Sequence, residues 1–134
     1  MMNKYLKIFL AILCLLIFIY PAHAKKRIHY EKTYQKQFCE QIGGGTEYYL
    51  LDRSGRVDCI TNEYAIEVDF ANKYTEGVTQ ALYYGMKTNR KSGLLLIVED
   101  DSERKYVDRT EGVIKHYNLP IRLWTITPCD IKKN

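Results

Sequence analysis

Histidine is scarce in this 134-residue chain (3 residues), tryptophan occurs once, and none of its 4 cysteines belongs to a Cys-x-x-Cys pair. Structural zinc sites are built from clustered thiolates and imidazoles, so the usual zinc patterns are excluded. Repeats, low-complexity tracts and internal linkers are absent, which removes solenoids and disordered arrays. No apolar run reaches the ~20 residues of a stable membrane span; the longest goes from Ile8 to Tyr20. The formal net charge of +4 is too small to be a nucleic-acid footprint by itself.

What is present begins with an address. Lys4 and Lys7 precede the apolar run, and Ala22-His23-Ala24 follows it, just before Lys25-Lys26. That order reads as a cleaved export signal over residues 1–24, sending the protein to the periplasm or out of the cell. Cys14 follows Leu13 inside the apolar run, where a lipid-attachment site would want a small residue. Residues 25–134 are enough for one domain with one modest core. Removing the two lysines of residues 1–24 from the +4 leaves +2. Cys39, Cys59 and Cys129 then meet an oxidising compartment, which allows one disulfide and leaves one thiol. The spacing does not choose the pair, and three small buried apolar residues is the alternative. His29 and His116 lie far apart and read as surface groups.

The element pattern is α-β-β-β-α-β-α-β. A helix is expected over residues 30–42, stopped by Gly43-Gly44-Gly45. Glu47 to Leu51 is β-prone and aromatic, and Asp52-Arg53-Ser54-Gly55 is a turn. Two alternating runs, Arg56–Ile60 and Ala65–Ala71, form a hairpin. Helices are expected over 73–87 and 102–117, the second with Ser102 as N-cap. Buried strands are expected at Leu94–Val98 and Ile121–Thr127. The fold class is α/β: a mixed central sheet of about five strands flanked by helices.

The hairpin carries the chemistry. Strand side chains alternate, which puts Val57, Cys59, Ile66, Val68 and Phe70 on one face and Arg56, Asp58, Glu67 and Asp69 on the other. If Ile60 pairs with Ala65, Asp58 lies opposite Glu67 and Arg56 opposite Asp69. Like charges so placed destabilise a hairpin unless something compensates, and a divalent cation such as Mg²⁺ would. The alternative is a solvated polar face with an Arg56–Asp69 ion pair. In the next helix Lys73, Glu76, Gln80 and Tyr84 (or Tyr83) share one stripe. Tyr74, Val78, Ala81, Leu82 and Gly85 cover the packed side. Trp124 reads as core, and Arg104 to Glu111 as a solvated face.

Arg56-Val57-Asp58-Cys59, then Ala65 to Lys73, then Gln80-Ala81-Leu82-Tyr83-Tyr84 resembles the PD-(D/E)XK nuclease superfamily. The Gln-x-x-x-Tyr element is similar to its RecB-like and Holliday-junction-resolvase-like branches. The resemblance implies a restriction-endonuclease-like core over about residues 38–127. It implies Asp58 and Glu67 as metal-binding acids for Mg²⁺ or Mn²⁺, with the Val68 carbonyl completing the protein ligands. Gln80 matches the supporting helical glutamine, and Glu40 or Glu47 the variable upstream acid. Asp69 stands where the Glu-x-Lys lysine belongs, and Lys73, one helical start away, is the substitute. Arg56, Asp69, Glu76 and Tyr84 support the site.

The implied activity is metal-dependent hydrolysis of nucleic-acid phosphodiesters, DNA or RNA alike, with Lys87, Arg90, Lys91 and Lys25–Arg27 holding the backbone. The rival expectation, which the Asp69 departure favours, is an inactive nuclease-like domain that binds nucleic acid or a protein partner. A merely wet charged face is the third.

Overall fold

A computed structural model describes residues 3–6, 9 and 25–132. The export-signal reading of residues 1–24 falls almost wholly outside them. Among the described residues no helix is long and apolar enough to cross a membrane.

The elements are α1 (Glu31–Gln41), β1 (Gly45–Tyr49), β2 (Arg56–Ile60), β3 (Tyr64–Phe70), a 3₁₀ turn (Ala71–Lys73), α2 (Tyr74–Thr88), β4 (Lys91–Ile97), α3 (Arg104–Tyr117) and β5 (Ile121–Ile126). The five strands lie in the order β1-β2-β3-β4-β5. β1, β2 and β3 pair antiparallel, while β3, β4 and β5 pair parallel. Two crossover helices, α2 and α3, make the parallel half possible. The sheet is therefore mixed and helix-flanked, as the element pattern predicts.

Alternation along the parallel strands splits the core into two layers. Ile66, Val68 and Phe70 of β3 pack with Leu95, Ile97 and Ile126 against Tyr34 and Phe38 of α1. Leu94, Leu96, Val98 and Ile121 pack against Ala81 of α2 and the half-buried Val107 and Ile114 of α3. Glu67 and Asp69 pair in register with Leu94 and Leu96, so they belong to the α2 face.

Several boundaries differ from expectation for local reasons. β1 starts two residues early, at Gly45, and contains Glu47 in a left-handed conformation (φ 58°). Ser102 is not the cap of α3. The Asp100 side chain accepts from the Ser102 N–H, and a 3₁₀ turn over Asp101–Glu103 leads into the helix. Trp124 is half-buried against the core, edge-on to Phe38 and Tyr64.

The basic start of the domain has a structural role. The Glu99 carboxylate accepts from the backbone N–H groups of Ile28 and His29 and from the Tyr34 hydroxyl. Arg27 stacks 3.8 Å above the Phe70 ring and donates to Glu103 at 3.0 Å and to Asn72 at 2.6 Å. Lys25 reaches the same Glu103 carboxylate at 2.9 Å. Burial pushes Glu103 up, but Lys25, the Glu99 N–H and Arg27 outweigh it and hold it below its ordinary range. Lys25 and Arg27 thus pair with acids of this chain.

One disulfide joins Cys39 of α1 to Cys59 of β2, across 20 residues of sequence, and Cys129 is free and exposed. Closing a loop of that length constrains the unfolded chain by about 3 kcal/mol. Gly44 is required beside it: a Cβ there would stand 2.8 Å from both sulfurs.

Candidate metal centre

The site begins where the hairpin stops pairing. The β2–β3 ladder runs only over Cys59↔Ile66 and Ile60↔Ala65. One residue further, the Asp58 carboxylate takes the Val68 N–H at 3.0 Å in place of a backbone partner. A strand residue turns its N–H and C=O to the same edge. The Val68 carbonyl therefore also faces the opened gap beside Asp58. The expected opposition of Asp58 with Glu67 and of Arg56 with Asp69 is absent from the ladder, because the strands part before reaching them.

The parting also breaks the expected alternation. Val57 packs with Leu50, Ala65 and Tyr84, while Cys59 packs with Ile66 and Val68 on the other face. Val57, Asp58 and Cys59 are consequently all buried. Arg56 lies across from Tyr49 on β1, and its guanidinium is 3.6 Å from Glu47 and 4.0 Å from Asp58. The cation beside Asp69 is Lys73, at 3.9 Å. The Arg56–Asp69 pair of the solvated-face reading does not form.

An open cleft of about 410 Å³ collects Asp58, Glu67, Val68, Asp69, Lys73, Glu76, Gln80, Tyr84 and Arg56. Two further residues line it that the hairpin pattern does not reveal, Glu31 at the start of α1 and Tyr49 at the end of β1. Of the upstream acids, Glu31 lines the cleft, and the sequence candidates Glu40 and Glu47 are not among its lining residues. Glu40 is exposed and 3.9 Å from Lys36. Glu47 stands outside the cleft and pairs with Lys32 at 2.9 Å. Tyr83 is turned away, its hydroxyl donating to Ser54.

Three of the acids are deeply placed: Asp58 is 8%, Glu67 5% and Asp69 5% exposed. Burial pushes the Asp58 carboxyl up to about 6 against the opposing Val68 N–H bond, with Glu31 adding to the rise. Burial, then Asp58 and Asp69, push Glu67 up to about 9. Burial and Glu31 push Asp69 up to about 7, with Lys73 opposing. The Glu67 Oε2 atom is buried and has no hydrogen-bond partner. A buried acceptor left unpaired costs about 1–3 kcal/mol, and a charged one more.

Two elements shape this cluster from outside. The Gln35 side chain, itself buried, donates to the Asp58 carbonyl at 2.6 Å. Gly77 lets α2 approach the sheet: a Cβ there would meet Leu94 Cδ1 at 2.8 Å and Asp69 Oδ2 at 3.3 Å. Gly77→Ala gains about 1 kcal/mol of helix propensity but overpacks by about 1–3 kcal/mol. A small net loss of stability and a weaker metal affinity are expected, read by urea unfolding and Mn²⁺ titration. Unchanged affinity would detach Asp69 from the site.

The residues expected to hold a nucleic-acid backbone lie elsewhere. Lys87 pairs with Asp52, and Lys91 with Glu63 at 2.5 Å. Lys91 starts β4 beside Tyr64, at the opposite end of β3 from Asp69. Arg90 lines a separate small cleft with Lys87 and Asp52.

No family model, curated protein or solved structure matches this chain. The chemistry of the cleft therefore rests on its own donor set. Among the described residues no three His, Cys, Asp or Glu side chains are grouped to hold an ion by themselves. The set is the Asp58 and Glu67 carboxylates and the Val68 carbonyl, all oxygen, with an orphaned buried oxygen on Glu67. That is a hard-cation set which leaves coordination positions for water and phosphate oxygens, and it fits Mg²⁺ or Mn²⁺.

Proposed function

We propose that this protein is a divalent-metal-dependent phosphodiesterase of the PD-(D/E)XK nuclease type, acting on nucleic acid outside the cytoplasm. The observation that carries the reading is the convergence of Glu31, Asp58, Glu67 and Asp69 on one cleft, with Glu67 buried and its Oε2 unpaired. Five acids, Glu76 among them, line the cleft against two cations, Arg56 and Lys73, an excess of acid that a divalent ion would relieve. The same geometry gives no reason for a purely structural acid cluster, since neutral side chains would fill the space at lower cost.

Asp58 and Glu67 would hold the ion together with the Val68 carbonyl. Such an ion supplies Lewis acidity toward a phosphoryl oxygen and a water of lowered pKa. Asp58 keeps its place through the Val68 N–H and through Gln35 on its own carbonyl. Lys73 is half-exposed at the cleft and steadies negative charge on the phosphate. Asp69 stations Lys73 there, so the lysine missing from the strand returns from the 3₁₀ turn that follows. Gln80 and Tyr84 line the same wall and orient the substrate. The oxygen set reads no bases, so the selectivity is for phosphodiester and not for sequence.

A second reading keeps its own observation. Asp69 occupies the Glu-x-Lys lysine position, and Lys25, Arg27, Lys87 and Lys91 are paired with acids. An inactive domain that binds nucleic acid or a protein partner fits those facts.

Cleavage of single- and double-stranded DNA and RNA in Mg²⁺ or Mn²⁺ decides between them. Lys73→Ala is expected to lower cleavage about 10²–10³-fold with the circular dichroism unchanged, and Asp58→Asn to abolish both Mn²⁺ binding and cleavage. Cleavage by Lys73→Ala at the wild-type rate would remove Lys73 from the mechanism. Metal-independent binding with no turnover would select the second reading.

A further inference from the structure

We propose that the Cys39–Cys59 disulfide is the fastener of the carboxylate cleft: its reduction loosens the second half of helix α1 and withdraws Gln35 from Asp58, so the cleft is fully assembled only in the oxidised chain. The consequence for metal rests on the function proposed above; the loosening of α1 does not.

α1 is a weak helix on its own terms. It has 11 residues, and its N-cap makes no side-chain hydrogen bond. Isolated helices shorter than about 12–15 residues are marginal in water. It buries only Tyr34, Gln35, Phe38 and Cys39. One of those is an amide and one is half of the disulfide, which leaves two aromatic side chains as apolar anchors. Yet α1 places two groups on the site: Glu31 lines the cleft, and Gln35 donates to the carbonyl of Asp58. The disulfide joins this helix to Cys59, the residue next to Asp58. Both sulfurs are fully buried.

The two ends of α1 are held differently. At the first, Glu99 accepts from Ile28, His29 and Tyr34, a set of bonds independent of redox state. At the other, the bridge is the covalent tie. Breaking it therefore loosens the helix from its second half and leaves it tethered. The chemistry is a two-electron exchange. A dithiol reductant gives two electrons and two protons to the Cys39–Cys59 bond, becomes a disulfide itself, and leaves two thiols on the chain. A chain kept reduced before export would thus carry an incompletely assembled cleft, and oxidation afterwards would close it. Burial of the sulfurs then makes the closed form resistant to exchange.

The test is hydrogen exchange on the purified protein with Mn²⁺ titration alongside. Oxidised wild type, dithiothreitol-reduced wild type and the Cys39→Ala/Cys59→Ala variant are compared. Loss of the loop constraint lowers protection throughout the domain by about 100-fold, and amides of Gln35–Gln41 are expected to lose about tenfold or more beyond that through local opening. Amides of Leu94–Ile97 in β4 should show the domain-wide loss alone. Mn²⁺ affinity should fall by about tenfold or more, the usual cost of losing a group that supports a ligand. Unchanged protection in α1 overturns the proposal. So does equal loss in α1 and β4, because the bridge would then support the whole domain and not the helix. If the oxidised wild type binds no Mn²⁺, the metal function fails, and the exchange pattern alone decides the fastener.

Discussion

Glu67→Gln is expected to stabilise the metal-free protein and to remove its Mn²⁺ binding. Glu67 is 5% exposed, its Oε2 has no partner, and burial with Asp58 and Asp69 pushes it up to about 9. At neutral pH the folded chain must therefore protonate a group that the unfolded chain leaves ionised, and that difference opposes folding. Glutamine keeps the shape and removes the proton from the equilibrium. Its amide can also donate to a neighbouring carboxylate. A gain of about 1–3 kcal/mol at pH 7 follows, which is roughly 4–8 °C in Tm per kcal/mol for a domain of this size. The gain should shrink toward zero near pH 4, where the unfolded glutamate is protonated as well. A variant that gains stability and loses function marks a residue retained for chemistry. A Glu67→Gln protein that is less stable than wild type and still binds Mn²⁺ would make Glu67 structural, and the metal reading would fall with it.

The sequence carried the frame of this site and not its closure. The hairpin is legible because alternation is local: Asp58, Glu67 and Asp69 sit on strands whose limits follow from turn residues and apolar runs. Lys73, Gln80 and Tyr84 follow from helical spacing alone, and all three line the cleft. Glu31 is different. It is one acid in the first turn of a helix, which is an ordinary feature of helix starts, and only the docking of α1 turns it toward the cleft. Gln35 was hidden for the same reason: its partner is a backbone carbonyl 23 residues away. The disulfide pair needed the position of α1 over β2, which no spacing rule supplies. The ladder break was also invisible, since a strand pattern does not say where a carboxylate will replace a backbone acceptor. That break turned the expected row of opposed charges into a gap with Asp58 and the Val68 carbonyl at its edge. The misplaced cations, Lys87 and Lys91, share one cause. Each has an acid within reach, Asp52 and Glu63, and pairs with it.

Without metal, stability should fall as pH rises from about 4 to about 9, and millimolar Mg²⁺ should flatten or reverse the slope. Asp58, Asp69 and Glu67 have folded values raised to about 6, about 7 and about 9. A raised acid binds its proton more tightly in the folded state than in the unfolded one. Its stabilising contribution is complete below the unfolded value, near 4, and is lost as pH climbs through the folded value. The three losses are spread over the window from about 4 to about 9 and together amount to several kcal/mol. Carboxyls held below their ordinary range, such as Asp100 beside Ser102 and Lys25, act oppositely. Their contribution is present above about 4 and disappears only in more acid solution. The metal-free protein should accordingly be most stable in mildly acid solution. A divalent ion competes with the protons for the same oxygens, so its affinity rises as they leave. At a concentration 100 times its Kd it adds about 2.7 kcal/mol, and this grows over the range in which the metal-free form weakens. Urea unfolding from about pH 4 to about pH 9, in EDTA and in Mg²⁺, measures both curves. Curves that diverge with rising pH assign the buried acids to an ion. A metal-free curve that stays flat or rises would mean that the chain's own cations already satisfy Asp58, Glu67 and Asp69, and a cleft so satisfied has no electrostatic need for a metal.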